Sequence, residues 1–284
     1  MIGEHYAFNG ELRPAAEAVV PIDDINFAYG YGVYETLKLR KGVVFFSDRH
    51  AERLLHSAEI IELAHPFSRE DIERSVLDLA RANGMRDANI KMLLIGSPAV
   101  DAAEGAHLYV FMLNPLFPRR ELYRDGAFAV CFDGERRYPQ AKSLDMLTST
   151  LAYRTARRAG AYDALLVNRE GEITEGTRTN LFYTDGETVY QPPRSAALLG
   201  VTKLTLEEVF EQRGVAVLER PLLQSEVGTW RGYFLTSTSS KVIPVSRIED
   251  HHFEIPEIVR DIMGAYDAFL DDYRRAQTPI VAEY

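Results

Sequence analysis

The sequence predicts an α+β fold in two domains. A length of 284 residues is close to twice that of one ordinary domain. Short strand-like runs alternate with segments whose apolar residues recur at three-and-four spacing. The stretch from Asn114 to Gly126 is rich in proline and arginine, has little periodicity and reads as a linker. The expected organisation is a small α/β domain over 1–116, a linker over 117–125 and a large domain over 126–284. Hydrophobic residues at 46% and charged residues at 26% describe a chain that folds. No fixed-period repeat or heptad series is present, which excludes solenoids and coiled coils.

In chain order, YAFNGELRP predicts a hairpin turning at Asn9-Gly10, and Val33 to Val44 contains two strand-like runs around Lys41-Gly42. Ser47 is placed to cap a helix in which Ala51, Leu54, Leu55, Ala58 and Ile61 form one buried face. A second helix follows Ser68, whose spacing to Asp71 resembles a capping box, and stops at Gly84. Ile90 to Ile95 and Leu108 to Leu113 read as strands, separated by turns at Gly96, Pro98 and Gly105. Beyond the linker, Phe128 to Phe132 reads as a strand, Ser143 to Ala159 as a helix closed by Gly160, and Asp163 to Val167 as a strand. A helix from Thr202 to Gln212 stops at Gly214.

Composition narrows the function. A net charge of -10 weighs against nonspecific binding to nucleic acid. The single cysteine, Cys131, forms neither an internal disulfide nor a cysteine-rich zinc site and points to a reducing compartment. No signal-peptide stretch and no long apolar run appear, so a cytoplasmic protein with no membrane partner is expected. Seven histidines show no metal-ligand spacing, and no serine nucleophile elbow is present. His50 and His56 read as solvated helix residues rather than ligands, and no metal is expected.

The informative signal is an ordered series of segments: YGYGVYETLKL from Tyr29, HAERLLHSAEII from His50, AKSLDML from Ala141, GEITEGTRTNLF from Gly171, LLGVTK from Leu198 and FLTSTSSKVIPV from Phe234. Together they resemble the class IV aminotransferases, the fold type IV enzymes that use pyridoxal 5'-phosphate. The resemblance implies a two-domain enzyme with the cofactor between its domains, working as a homodimer on an amino acid and a 2-oxo acid. Lys142 matches the family's Schiff-base lysine, which also carries a proton between substrate and cofactor carbons. Glu175 matches the carboxylate that keeps the pyridine nitrogen protonated. Arg53 matches the phosphate arginine, where a guanidinium fork suits two oxygens. Val201 and Thr202, opening a helix after Gly200, match the backbone phosphate contacts, and Thr238 matches a third contact. Leu198 resembles the apolar residue packed on the cofactor ring. Each has a plain alternative: a solvated surface lysine, a turn glutamate, a helix-surface arginine, a strand threonine, a core leucine.

Substrate-side residues are less uniform. Glu35 in GVYE resembles the transaminases more than the aminodeoxychorismate lyases, the alternative enzyme class. A class IV scaffold without turnover is the non-enzymatic alternative. KSLDML and TSTSS are similar to the D-amino-acid transaminases, and Leu147 stands where branched-chain enzymes carry tyrosine. Yet Gly96-Ser97 replaces the Arg-Gly with which the D-amino-acid enzymes hold the substrate carboxylate, and Asn89-Ile90-Lys91 replaces the Tyr-Ile-Arg of the branched-chain enzymes. Lys91, Arg40 and Lys241 are the candidate carboxylate receivers, with Ser239 adding donors and Tyr34 lining the pocket. The expected activity is amino transfer between an amino acid of branched-chain or D-amino-acid type and a 2-oxo acid.

Overall fold

The computed structural model describes residues 1–20, 22–97 and 103–281, so the turn expected at Pro98 lies outside the described residues. Two compact units emerge: Met1–Leu116 with Ala141–Asp145 and Arg274–Tyr284, and Phe117–Gln140 with Met146–Tyr273.

The first unit contains β1 (Ile2–Phe8), β2 (Glu11–Pro14), α1 (Ile25–Tyr29), β3 (Gly32–Arg40), β4 (Val43–Val44), α2 (Ser47–Ile60), α3 (Arg69–Asn83), β5 (Ala88–Ile95) and β6 (His107–Leu113). The strands form one antiparallel sheet in the order β2-β1-β6-β5-β3-β4. Asn9 and Gly10 turn the first hairpin with φ of 52° and 86°, the positive pair that a tight hairpin turn needs. Alternation then sorts the sheet into two faces. Val33, Leu37, Ile90, Met92, Leu94, Leu108 and Val110 pack on Ala51, Leu54 and Ala58 of α2 and on Ile72, Val76 and Leu79 of α3. Tyr6, Leu93, Ile95, Tyr109 and Phe111 gather in a separate, smaller cluster.

Ser68 and Asp71 form the expected capping box at α3, and Gly84 ends that helix with φ 60°. Ser47, expected as a cap, is instead the first helical residue of α2; the buried Phe46 precedes it with φ 53°, and no side chain caps the helix.

The second unit contains α4 (Arg120–Asp125), β7 (Ala127–Asp133), α5 (Leu147–Arg158), β8 (Asp163–Val167), β9 (Glu172–Gly176), β10 (Asn180–Thr184), β11 (Val189–Gln191), α6 (Val201–Arg213), β12 (Val217–Glu219), β13 (Leu222–Leu223), β14 (Gly232–Ser237), β15 (Lys241–Ile248), β16 (His251–His252) and α7 (Glu257–Ala276), the last passing into the first unit from Arg274. Its sheet runs β12-β11-β10-β14-β15-β7-β8-β9-β13, with β16 paired to β15. The β7–β8 pair is parallel, as a crossover through α5 requires. Phe182, Phe210, Phe234, Val259 and Ile262 bury α6 and α7 in one core.

Two expectations change. Residues 117–125, read as a linker, include α4; Pro115 and Pro118 precede the helix rather than interrupt it, and Tyr123 ties it down by donating to the Ser240 carbonyl at 3.0 Å. The helix expected from Ser143 starts only at Leu147. Residues 141–145 are extended along β3 instead, with Tyr34 N donating to the Lys142 carbonyl at 2.9 Å and Leu144 N to the Gly32 carbonyl at 2.8 Å. Backbone groups spent on a neighbouring strand are not available to a helical turn.

Candidate functional site

In the first unit, the extended segment brings Lys142 onto the sheet beside Tyr34. Lys142 Nζ stands 4.5 Å from the centre of the Tyr34 ring, and Lys91 Nζ stands 4.5 Å from the same centre. β3 and β5 pair Thr36 with Lys91 and Tyr34 with Leu93, which puts both cations on the sheet face opposite α2 and α3. The phenol face attracts each ammonium while the two repel one another. Burial, and then the Lys142 charge, hold the Lys91 ammonium below its ordinary value despite the opposing effect of Tyr34.

On the other face of β3, Glu35 alternates with Val33 and Leu37 and meets α2. Arg53 donates from Nε to Glu35 Oε1 at 2.5 Å and from Nη2 to Oε2 at 2.8 Å, and His50 Nδ1 lies 2.7 Å from Oε2. Burial works to raise the Glu35 carboxyl, but the Arg53 guanidinium and the His50 contact outweigh it and hold the group well below the carboxylate range. Burial lowers His50, whose neutral ring donates through Nδ1 to the ionised acid. His50 is therefore a buried partner, not the solvated residue expected; His56, exposed, faces Glu59 at 3.4 Å.

A pH dependence follows. Both groups have folded values below their ordinary ones of 4.5 and 6.5, so on acidification the unfolded chain binds protons first. Their contribution to stability is full above the His50 unfolded value and is lost progressively as pH falls through both. Urea midpoints measured between neutral and acid pH are expected to fall more steeply for the parent than for Glu35→Gln; parallel curves would refute the assignment.

In the second unit, Glu175, next to last in β9, is almost fully buried. It accepts from Arg136 Nη1 at 3.1 Å and from the Leu198 amide at 3.2 Å, while Asn180 Nδ2 donates to the Leu198 carbonyl at 2.7 Å. The turn joining Glu175 to Asn180 is fastened by buried Asp163, which accepts from the Thr177 hydroxyl and from Thr179 Oγ1 at 2.9 Å. Gly200 caps α6, and no side chain spends the amides of Val201 and Thr202. A Cβ on Gly200 would run into Asn180 Oδ1, so glycine is needed for this approach. Thr238 and Ser239 lie in the turn between β14 and β15 rather than in a strand, and Ser237 and Ser240 brace it by a 2.6 Å hydroxyl contact.

Residues 32–248 match the amino-transferase class IV family. The chain belongs to the class IV aminotransferases. This aminotransferase is 30% identical over 251 residues to the D-alanine aminotransferase of Bacillus licheniformis, covering 85% of this chain and 87% of the relative. It is equally 30% identical over 250 residues to a putative branched-chain-amino-acid aminotransferase of Methanocaldococcus jannaschii, covering 85% and 86%. The branched-chain aminotransferase of Thermoproteus uzoniensis, solved with norvaline, superposes with a TM-score of 0.88 at 25% identity over 98% of this chain and 99% of that one.

The aminotransferase is a pyridoxal-phosphate enzyme of fold type IV. Each unit, taken by itself, carries groups whose chemistry suits that cofactor: in the first, the Lys142 amine and the Arg53 guanidinium, which would suit an aldehyde and a phosphate; in the second, the buried Glu175 carboxylate and the helix-end amides of Val201 and Thr202, which would suit a ring nitrogen and a phosphate. The Nε–Nη2 edge of Arg53 serves Glu35, where the sequence suggested a fork given to phosphate. Two candidate carboxylate receivers are engaged elsewhere: Arg40 with Asp87 at 2.7 Å and Lys241 with Asp267 at 2.6 Å. Gly96 holds no clamp because the Tyr31 ring fills the space of any side chain there. Among the described residues, no group of potential metal ligands is present and no helix is long and apolar enough to cross a membrane. Arg136 and His50 were not foreseen as partners of the site. His50 lies one turn from Arg53 on α2, which is a readable signal; Arg136 carries none, because nothing local links it to Glu175.

Proposed function

We propose that this transaminase moves the amino group of an apolar amino acid, of branched-chain or D-amino-acid type, to a 2-oxo acid, with Lys142 as its catalytic base and Lys91 as the receiver of the substrate carboxylate. The observation that carries this is the pair of lysines on the Tyr34 ring. When bound, the cofactor withdraws electrons from the substrate α-carbon. Lys142 holds the cofactor covalently and then moves a proton at its Nζ. Glu175 fixes the ring-nitrogen proton, with Arg136 and the Leu198 amide fixing Glu175 in turn.

Arg53, Val201, Thr202 and Thr238 anchor the phosphate, Arg53 as a charge locked in place by Glu35. Leu198 would pack on the cofactor ring, as the family resemblance implies. Desolvation leaves Lys91 short of a counter-charge that an entering carboxylate supplies. With Arg40 and Lys241 ion-paired, Lys91 is the better receiver, and the Thr238-Ser239 turn adds donors. Leu93 and Tyr34, opposite one another in the sheet, offer apolar surface to the side chain. A homodimer fits the exposed Val19, Ile22, Phe27 and Tyr29 of the first unit, and one cysteine suits the cytoplasm.

The test is a half-reaction screen of L- and D-amino acids, read as conversion of the cofactor from its aldehyde to its amine form. Apolar amino acids are expected to convert it fastest. Lys91→Met is expected to lose about tenfold or more of the preference for an amino acid over its decarboxylated amine, the scale of a charged hydrogen bond. Arg40→Met and Lys241→Met should keep that preference. A Lys91→Met enzyme as selective as the parent would place the carboxylate elsewhere.

A further inference from the structure

We propose that Ser57 is a positioning residue for Lys142, its hydroxyl fixing the lysine's backbone amide and thereby where the amine stands. Lys142 N donates to Ser57 Oγ at 3.1 Å, and Ser57 is fully buried in α2. The inference rests on Lys142 as the cofactor-binding lysine.

The geometry explains why one hydroxyl matters. The segment 141–145 meets β3 through Tyr34 N to the Lys142 carbonyl and Leu144 N to the Gly32 carbonyl. Bonds to one strand edge leave a hinge line about which the segment can swing. Ser57 reaches it from α2 rather than from β3, off that line, and adds at Lys142 itself a restraint to the one that Leu144 packing supplies two residues on.

The same helix makes the tie specific. His50, Arg53 and Ser57 recur at i, i+3 and i+7, a polar stripe beside the apolar Ala51, Leu54 and Ala58. The first two hold Glu35 of β3; the third holds Lys142. Through rigid α2, the proposed phosphate arginine and the lysine are therefore set in one frame. A buried serine without such a task exists for comparison: Ser75 of α3, whose hydroxyl has no hydrogen-bond partner among the described residues.

The experiment compares Ser57→Ala, Ser57→Cys, Ser75→Ala and Lys142→Ala. Each is measured as cofactor-free protein for melting temperature and affinity for pyridoxal phosphate, and as holoenzyme for the pH midpoint of its visible absorbance and for half-reaction rate. Alanine is well tolerated within a helix, so Ser57→Ala is expected to fold. Its cofactor dissociation constant should rise about tenfold, and the limiting half-reaction rate should fall about tenfold with the half-saturating amino-acid concentration unchanged, since a small displacement of a reacting group is costly. The visible midpoint should move. Ser57→Cys, with a weak sulfur acceptor, should fall between parent and Ser57→Ala, and Ser75→Ala should match the parent.

A Ser57→Ala protein that differs from the parent only in melting temperature, with spectrum, affinity and rate intact, would overturn the positioning role. So would a Ser57→Cys protein indistinguishable from the parent, since that marks packing alone. If Lys142→Ala keeps a borohydride-trapped cofactor, the reading of Lys142 itself fails. Loss of that linkage together with an unaltered Ser57→Ala refutes the Ser57 inference alone.

Discussion

Lys142→Ala is expected to remove the borohydride-trapped cofactor from the chain and to lower multiple turnover by about 10³-fold or more, the scale of a lost general acid-base group. The amine has two duties, a covalent bond to the cofactor and proton transfer at the substrate α-carbon, and alanine performs neither. The variant should still fold. Its hydrogen bonds with Ser57 and Tyr34 are made by the backbone amide and carbonyl, both of which alanine retains, and only the contact of the amine with the Tyr34 ring is lost. The cofactor itself should remain bound through the phosphate and ring-nitrogen contacts, weakened by loss of the covalent bond. Tryptic mapping after borohydride treatment checks the first point, and steady-state rates with an apolar amino acid check the second. An undiminished covalent linkage would remove Lys142 from the mechanism.

What the sequence discloses divides along the line between local and distant contacts. The Asn9-Gly10 hairpin, the Ser68–Asp71 capping box and the stop of α6 at Gly214 are settled within a few residues, and each stands where the pattern puts it. α7 is absent from the sequence expectations, although Val259, Ile262 and Tyr266 form its buried face at readable spacing. The start of α5 is a different matter. Residues 143 to 146 do not prolong the helix because β3, more than a hundred residues earlier in the chain, takes the backbone bonds of 142 and 144. No local propensity records that choice.

The site follows the same division. Lys142, Glu175 and the Gly200-Val201-Thr202 helix start stand out by motif. The partners that hold them do not, since Ser57, Arg136 and Asp163 belong to other helices, loops and strands. Arg40 and Lys241 illustrate the converse: a cation's charge is visible in the sequence, whereas its engagement with Asp87 or Asp267 is not.

Glu175→Gln is expected to bind the cofactor and to lower the rate of the half-reaction about 10²-fold or more, the scale found when a preorganised electrostatic contact is lost. The amide keeps the shape of the acid and can still accept from the Leu198 amide through its oxygen. It cannot supply the anion that keeps a ring nitrogen protonated, so electrons accumulating at the substrate α-carbon lose their sink. Arg136 aggravates the loss. Its guanidinium, largely buried beside Glu175, would face a neutral amide and forfeit a charge-assisted bond. The effect should therefore appear in the proton-transfer step, with amino-acid affinity close to the parent's. Glu175→Asp retains the charge and should recover part of the rate despite its shorter reach. Stopped-flow measurement of the half-reaction with α-deuterated and ordinary amino acid separates these possibilities, because a slowed proton transfer raises the isotope effect towards its full value. A Glu175→Gln enzyme with the parent's rate and isotope effect would show that the ring nitrogen does not depend on this carboxylate.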